Sequence, residues 1–149
     1  MRLFVIAAVL GLATSAFSYT VTYTVSYDTI YDHGQNSLNN VACSNGEYGL
    51  ITAGYTTFDS LPTFPYIGGA PQILSWNSRY CGTCWELTYT NADGVSTSLN
   101  ITAVDTGDHS LEGFNISLEG MDLLTNGRAR SLGRVPIAAA RMPKSACGL

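Results

Sequence analysis

The sequence predicts a mainly β domain, a mostly antiparallel closed barrel with one or two short helices. Three observations support this fold class. Residues 19–31, 85–90 and 95–104 alternate apolar or aromatic with hydroxyl side chains, as half-buried strands do. One segment, 118–124, has the apolar spacing of a helix. The remaining segments are loops rich in Gly, Pro, Ser and Asn, and no internal repeat or linker interrupts them.

The predicted strands come in order along the chain. The first is 19–31, in which every second residue is Val or Tyr over its first half. Trp85–Thr90 and Val95–Val104 are predicted to form a hairpin, because Asn91-Ala92-Asp93-Gly94 between them is a turn sequence. Leu61–Pro71 is predicted to be a loop.

One helix is predicted in the second half of the chain. Asn115 or Ser117 is expected to cap it, Glu119 lies in its first turn, and Asn126-Gly127 ends it. Its buried stripe is expected to consist of Leu118, Met121 and Leu124. A last strand is predicted beyond the helix, with Pro136 at a strand start or an edge.

The first 18 residues are predicted to be a signal peptide. Arg2 supplies a positive charge, Leu3 to Leu12 is an uncharged apolar stretch, and Ala16-Phe17-Ser18 offers small residues for cleavage. The stretch is too short to span a bilayer, and no second one follows it. We therefore expect a mature domain of residues 19–149, without a membrane span, that is secreted to the extracellular space or the cell wall.

The charge of the chain narrows the classes of partner. Charged residues are 12% of the chain, about half of the usual fraction. Without Arg2, six Lys and Arg stand against eleven Asp and Glu, a net charge of −5. Nucleic acid and anionic membranes require basic surfaces, so neither is an expected partner. A neutral, hydroxyl-rich surface suits an uncharged polymer better, and no cofactor is implied.

The cysteine pattern predicts two disulfides, because an even number of cysteines in an oxidising compartment pairs. The four residues are Cys43, Cys81, Cys84 and Cys147. A thioredoxin-like pair would place the second cysteine of Cys81-Gly82-Thr83-Cys84 in a helix, whereas a strand follows it here. A papain-like nucleophile is excluded since His109 is the only histidine downstream, and an all-cysteine zinc site would need two close pairs. Three pairings remain possible on this reasoning alone.

Six short motifs follow one another along the chain. They are Cys43-Ser44-Asn45-Gly46, Gly68-Gly69-Ala70-Pro71, Trp76-Asn77-Ser78, Cys81-Gly82-Thr83-Cys84-Trp85, Gly113-Phe114-Asn115-Ile116-Ser117 and Cys147-Gly148-Leu149. Together they resemble the cerato-platanin family of small secreted fungal proteins. The resemblance covers nearly the whole mature chain. It implies a double-psi β-barrel like that of the expansin first domain, and the pairing Cys43–Cys81 and Cys84–Cys147.

The resemblance also implies a function. Members of the family bind chitin and N-acetylglucosamine oligomers in a shallow groove, without a settled hydrolytic activity, and many loosen cellulose, aggregate at surfaces or act as elicitors of plant defence. Asp105 and Asn115 match the groove residues of the family. Two departures from the family pattern are a longer and more charged segment at 106–113, which would alter a groove wall, and Glu47.

The chemistry of sugar binding supports the same residues. A neutral sugar needs a carboxylate, an amide that both donates and accepts, and an aromatic face. Asp105 and Asn115 supply the first two, and the aromatic candidates are Tyr31, Tyr55 and Trp76. The structural alternatives are that Asp105 only accepts turn N–H groups, that Asn115 only caps the helix, and that Trp76 and Trp85 belong to the core.

Hydrolysis would require a second carboxyl group about 6.5–9.5 Å from Asp105 for an inverting reaction. The candidates are Asp28, Asp32, Asp108 and Glu112, and no feature of the sequence selects one. We therefore predict that the protein is not an enzyme.

Two glycosylation sequons begin at Asn100 and Asn115. The side chain of Asn100 is expected to face away from Leu99 and Ile101, which makes it a plausible acceptor. A glycan on Asn115 would block the groove, so sugar binding requires Asn115 to stay bare.

These expectations combine into one functional prediction. The protein is a secreted, non-catalytic binder of chitin or N-acetylglucosamine oligomers that acts in fungal wall remodelling and as an elicitor of host responses. The expected binding residues are Asp105, Asn115, Tyr31 and Trp76. A host immune receptor is a further candidate partner, and we expect a monomer or weak self-association. The alternatives are a surface-active self-assembling protein and an expansin-like wall-loosening protein with weak lytic activity.

Overall fold

The computed structural model describes residues 22–149. The predicted signal peptide, residues 1–18, lies outside them. The strands are β1 (Thr22–Tyr27), β2 (Ile67–Ala70), β3 (Cys84–Thr90), β4 (Ser96–Thr106), β5 (Gly113–Ile116) and β6 (Arg134–Met142). The α-helices are α1 (Leu118–Thr125) and α2 (Ala129–Leu132). Short 3-10 helices occupy Thr29–Asp32, Leu38–Asn40, Phe58–Ser60, His109–Leu111 and Lys144–Cys147.

The strands close into a six-stranded barrel in the order β1-β5-β2-β4-β3-β6. The β1–β5 and β2–β4 pairs are parallel, and the other four are antiparallel. The predicted double-psi β-barrel is therefore confirmed, as is its mostly antiparallel pairing. Closure leaves no unpaired sheet edge.

The predicted hairpin and last strand are confirmed. β3 pairs with β4 from Cys84 opposite Thr102 to Thr90 opposite Ser96. Pro136 lies near the start of β6, where it pairs with Thr24 of β1, and the pairing of β6 with β3 begins only at Ala138. Proline has no backbone N–H to donate, and a position near the start of a strand accommodates this, as predicted.

Two strand boundaries differ from the prediction. The first strand ends at Tyr27, because the Asp28 carboxylate accepts a hydrogen bond from the Ile30 N–H (3.0 Å) and starts a 3-10 helix. The predicted loop at 61–71 contains strand β2, which has the sequence Ile67-Gly68-Gly69-Ala70. This strand is hard to predict from the sequence because two of its four residues are glycine, which is depleted in strands.

Helix α1 begins and ends where the sequence predicts. The Ser117 hydroxyl caps it by accepting a hydrogen bond from the Gly120 N–H (3.1 Å), and Asn126 closes it in the left-handed conformation (φ 53°). Asn115, the alternative cap, lies instead in β5. The Asp32 carboxylate accepts the free N–H groups of Leu118 and Glu119 at 2.8 and 2.9 Å, which suits the positive end of the helix dipole.

The core lies inside the barrel and beneath α1. Trp85 and Phe114 pack edge to face at 5.5 Å, and Trp85 is only 6% exposed, so it belongs to the core as predicted. Disulfides join Cys43 to Cys81 and Cys84 to Cys147, which confirms the predicted pairing. Each closes a loop long enough to stabilise the fold by about 4 kcal/mol. Among residues 22–149 no helix has the length and apolarity of a membrane span.

Candidate functional site

A row of polar residues crosses four neighbouring strands on the outer face of the barrel. In the pairing register, Gly69 of β2 lies between Asp105 of β4 and Asn115 of β5, and Asn115 lies beside Ser26 of β1. Residues in register share a face of the sheet. The preceding residues on β1 and β5, Val25 and Phe114, are fully buried, so Ser26 and Asn115 point outward.

A β-bulge sets the position of Asp105. The β2–β4 register shifts between Gly68, which pairs with Ala103, and Gly69, which pairs with Asp105. The extra residue, Val104, is fully buried. Bulges re-aim the side chains that follow them, and here the bulge turns Asp105 out at the end of a run of four buried residues.

Three hydrogen bonds hold the Asp105 carboxylate. Its Oδ1 accepts from the backbone N–H groups of Ala42 (3.0 Å) and Thr106 (2.8 Å), and its Oδ2 accepts from the Tyr31 hydroxyl (3.3 Å). A carboxylate has about four acceptor sites, so roughly one remains for a ligand. The carboxylate is thus both a structural acceptor for two peptide groups and a fixed acceptor at the half-buried surface.

Tyr31 is the buried support of Asp105. Its side chain is 4% exposed, and its ring lies 6.0 Å from that of Phe58. Burial, together with the charge of Asp105, raises the pKa of the Tyr31 hydroxyl far above its ordinary value. The hydroxyl therefore stays protonated and donates to Asp105, and the buried ring presents no open face to a sugar.

Asn115 supplies the second polar group of the row. Its side-chain oxygen accepts a hydrogen bond from the Ser26 hydroxyl at 3.1 Å, which fixes the orientation of the amide. The amide nitrogen makes no hydrogen bond to any residue between 22 and 149, so it is available as a donor to a ligand. An acceptor at Asp105 and a donor at Asn115 therefore flank a glycine that carries no side chain.

Trp76 is the exposed aromatic residue near this row. It is 58% exposed, and its indole N–H donates to the Asn45 side-chain oxygen at 2.9 Å. Ala42 links it to Asp105, because the Ala42 carbonyl accepts from the Asn77 N–H (3.2 Å) while the Ala42 N–H donates to Asp105. Trp76 therefore lies on the loop that borders the Asp105 end of the row.

The segment 106–113 joins Asp105 to the strand that carries Asn115, and polar contacts hold it. Asp108 and Gly113 exchange two backbone hydrogen bonds of 2.8 Å, and the Asp108 carboxylate forms a salt bridge with Arg134 (3.1 Å). The hydroxyl of Ser110, together with the charge of Arg134, lowers the pKa of Asp108. Glu112 adopts the left-handed conformation (φ 44°), which turns the chain back into β5.

Three of the four other carboxylates considered for hydrolysis have structural partners of their own. Asp28 caps a 3-10 helix, Asp32 caps α1 and Asp108 binds Arg134. Glu112 lies exposed on the 106–113 segment. The charge of Asp28, like that of Asp105, raises the pKa of the Tyr31 hydroxyl. In the part of the chain that the structure describes, no group of three His, Cys, Asp or Glu side chains could hold a metal ion.

The model of the cerato-platanin family matches residues 23–149, almost all of the described chain. The chain belongs to the cerato-platanin family. It is 42% identical over 143 residues to the heat-stable 19 kDa antigen of Coccidioides immitis, covering 96% of this chain and 92% of that protein. It is 44% identical over 81 residues to cerato-platanin of Ceratocystis fimbriata f. sp. platani, covering 54% of each. The crystal structure of cerato-platanin 1 from M. perniciosa superimposes with a TM-score of 0.78 at 43% identity, covering 83% of this chain and 98% of that one.

The cerato-platanin fold brings only some of the predicted residues together. Asp105 and Tyr31 are in direct contact, and Asn115 lies in the same row as Asp105. Trp76 lies beside the row, on a separate loop. Asn100, the predicted glycosylation acceptor, is half-buried on β4 between two buried apolar residues, and its amide nitrogen donates to the Ala146 carbonyl at 3.3 Å.

Three groups of this cerato-platanin site are not evident from the sequence. Ser26 orients Asn115, and the Ala42 N–H orients Asp105. Gly69 separates the two, and a Cβ there would lie 2.1 Å from the Thr106 carbonyl oxygen. The glycine pair at 68–69 is the one available signal, since adjacent glycines in a strand indicate close backbone approach.

Proposed function

We propose that this cerato-platanin is secreted and binds neutral oligosaccharides of the chitin type, N-acetylglucosamine oligomers, through the side chains of Asp105 and Asn115. The observation that carries the proposal is the pairing of a fixed acceptor with a fixed donor on either side of a residue without a side chain. An acetamido sugar has both an N–H to donate and hydroxyl and carbonyl oxygens to accept hydrogen bonds. Asp105 and Asn115 match these two requirements.

Trp76 supports the proposal as the aromatic component. The C–H face of a pyranose ring packs on an aromatic ring, and the Trp76 side chain is 58% exposed. Its hydrogen bond to Asn45 limits its motion, so little entropy is lost when a sugar binds. A ligand of several units could contact Trp76 with one ring and the Asp105–Asn115 row with the next ones.

The site favours binding without hydrolysis. An inverting hydrolase needs a protonated acid and a base about 6.5–9.5 Å apart on opposite sides of the scissile bond. Asp105 accepts three hydrogen bonds, including two from peptide groups. Asp28, Asp32 and Asp108 are engaged in caps or a salt bridge. We infer that Asp105 accepts a hydrogen bond from a sugar, while Asp28, Asp32 and Asp108 act in the structure.

In biological terms, we propose that the mature protein acts outside the cell, in remodelling of the fungal wall and as an elicitor of host responses. The relative from Coccidioides immitis is described as an antigen. A protein that binds wall oligosaccharides at the cell surface meets host receptors there, and an immune receptor is the second partner we propose. Asn115 must then remain unglycosylated, whereas Asn100 is the proposed glycan acceptor.

The test is the affinity of the mature protein for a chitin tetramer, measured by calorimetry. Asp105→Ala and Asn115→Ala should each weaken binding at least about tenfold, the effect of losing a good hydrogen bond to a ligand. Asp93→Ala is the control, because Asp93 is exposed in the turn between β3 and β4 and none of its contacts is with the row. Unchanged affinity of the Asp105 and Asn115 variants, in folded protein, would contradict the proposal.

Exposed apolar side chains favour a second candidate function, assembly at air–water or wall interfaces. Leu74, Val95 and Leu111 are 73%, 60% and 50% exposed. This role would not use the polar row. A fall in surface tension that Asp105→Ala leaves unchanged would support it, and a fall that the variant abolishes would favour the sugar-binding row.

A further inference from the structure

The cationic side chains of this acidic protein are unevenly distributed. Residues 22–149 contain six Lys and Arg. Three of them, Arg79, Arg141 and Lys144, lie around Tyr80 and the adjoining surface cavity. The one salt bridge within 22–149 joins Arg134 and Asp108, so none of the three is neutralised by a carboxylate within 4.0 Å.

Tyr80 organises the two arginines. The guanidinium carbons of Arg79 and Arg141 lie 5.2 and 5.6 Å from the centre of its ring, within the range of a cation–π contact. Arg79 also donates to the Tyr80 hydroxyl at 3.2 Å, and this bond lowers the pKa of the hydroxyl. A guanidinium has five N–H donors, so most of them remain free on both arginines.

A cavity of about 210 Å³ adjoins this cluster. We name the surface formed by Tyr48, Arg79, Tyr80, Arg141 and Lys144 the Tyr80 face. Arg79, Lys144 and the 45%-exposed ring of Tyr48 line the cavity together with one acidic residue, Glu47, which lies more than 4.0 Å from the charged groups of both cations. The Tyr48 loop is fixed to the Arg79 loop, because the Tyr48 N–H donates to the Asn77 side-chain oxygen at 2.9 Å. The cations and the open aromatic ring therefore keep a defined spacing.

The chemistry of the Tyr80 face selects a class of ligand. Planar guanidinium groups bind carboxylates in a bidentate manner, and an open aromatic ring packs against a sugar ring. The net negative charge of the chain repels long polyanions such as nucleic acid, so a short ligand with spaced charges fits better. We propose that the Tyr80 face binds uronic-acid oligosaccharides, with Arg79 and Arg141 on sugar carboxylates and Tyr48 against a ring. This surface is distinct from the Asp105–Asn115 row, so the proposal stands or falls separately from chitin binding.

The test is titration of the mature protein with a trimer of galacturonate, followed by the backbone amide shifts of the Tyr80 face. The trimer should bind, binding should weaken as ionic strength rises to the physiological value, and the fully methyl-esterified trimer, which has the same rings without charge, should not bind. Arg79→Ala/Arg141→Ala should weaken binding by at least about tenfold, because both guanidinium contacts to sugar carboxylates are lost.

The matched control is Arg128→Ala/Arg130→Ala, which removes two exposed arginines from another part of the surface and changes the net charge equally. It should leave the affinity within about twofold, because exposed charges farther away than a Debye length are screened. Equal weakening by both double variants, equal binding of the methyl ester or of a sulfated trimer, or no binding of the galacturonate trimer would each overturn the proposal.

Discussion

The two sides of the Asp105–Asn115 row are held in different ways. On one side, residues 41–43 and 76–81 form a wall that the Cys43–Cys81 disulfide joins covalently. On the other side, segment 106–113 is held without a covalent link. Backbone hydrogen bonds and the Asp108–Arg134 salt bridge hold it, together with side-chain hydrogen bonds from Thr24 to the Leu111 carbonyl (3.1 Å) and between His109 and the Pro71 carbonyl (3.0 Å). We refer to these as the disulfide wall and the polar wall.

The comparison shows how one surface can combine a fixed and an adjustable side. The disulfide wall holds Ala42, which orients Asp105, and Trp76, so the geometry of these groups withstands acid and salt. The polar wall includes a half-buried ion pair, whose outer side salt screens and which acid weakens. Differences in ligand preference within the family are therefore expected to lie mostly in the polar wall.

The largest effect should come from breaking the disulfide wall. Cys43→Ser/Cys81→Ser should lower the free energy of unfolding by about 4 kcal/mol, measured by denaturant titration. It should also weaken chitin-tetramer binding in protein that is still folded, because the segments that carry Ala42 and Trp76 are no longer joined covalently to each other.

Cys84→Ser/Cys147→Ser is the matched control for that variant. It should cost a similar free energy of unfolding but keep sugar affinity, since this disulfide lies outside the row. Equal loss of affinity in both double variants would show that the disulfide wall has no special role.

The next effect should come from a side chain at Gly69, between Asp105 and Asn115, where the backbone of Thr106 already fills the space. A Cβ at Gly69 would lie 2.1 Å from the Thr106 carbonyl oxygen, where the polar wall begins. Gly69→Ala should therefore destabilise the fold by about 1–3 kcal/mol and shift the amide signals of residues 105–107. A variant with native stability and unshifted signals would contradict the packing described for these strands.

A smaller effect is expected for the buried support of Asp105. Tyr31→Phe removes one hydrogen bond and should lower the free energy of unfolding by about 1 kcal/mol, measured by thermal unfolding. Tyr55→Phe is the control and should lower it less, because the Tyr55 hydroxyl has no partner among residues 22–149. The pKa of Tyr31 is raised in the folded state, so its contribution is complete below about pH 10, the ordinary tyrosine value, and is lost as the pH rises above it. Tyr31→Phe should therefore be less sensitive to base than the native protein, and equal sensitivity would contradict this.

The smallest effect on stability should come from the polar wall. The pKa of Asp108 is lowered in the folded state, so its contribution is present above the ordinary aspartate value near 3.8 and is lost as the pH falls below it. Arg134→Ala should change global stability little but increase amide exchange at residues 108–113, and high salt should have the same effect on the native protein. Unchanged amide exchange in both experiments would contradict a role for the Asp108–Arg134 ion pair in holding the polar wall.

The sequence predicted the features that depend on local pattern. Helix α1 begins after Ser117 and ends at Asn126 as expected, because capping residues act on their own helix. The β3–β4 hairpin was predictable from alternation and its turn. Strand β2 was not, because its stability comes from two neighbouring strands and not from its own Gly68-Gly69 residues.

The site was predictable only in part, for a similar reason. The family resemblance named Asp105 and Asn115 as candidates. Their spacing, however, arises from a β-bulge at Val104 and from the pairing of both residues with Gly69, which no local pattern encodes. Tyr31 was expected as an aromatic face and lies instead beneath Asp105 as a hydroxyl donor. Burial of a tyrosine depends on the packing of distant segments, here including Phe58.

The most direct test of sugar binding between the two walls is an amide-shift map of isotope-labelled mature protein titrated with a chitin tetramer. We predict shifts at Asp105, Asn115 and Trp76 and on both walls, and their loss in Asp105→Ala. Shifts that are absent at millimolar sugar, or that persist unchanged in Asp105→Ala, would contradict the assignment of this row as the saccharide site.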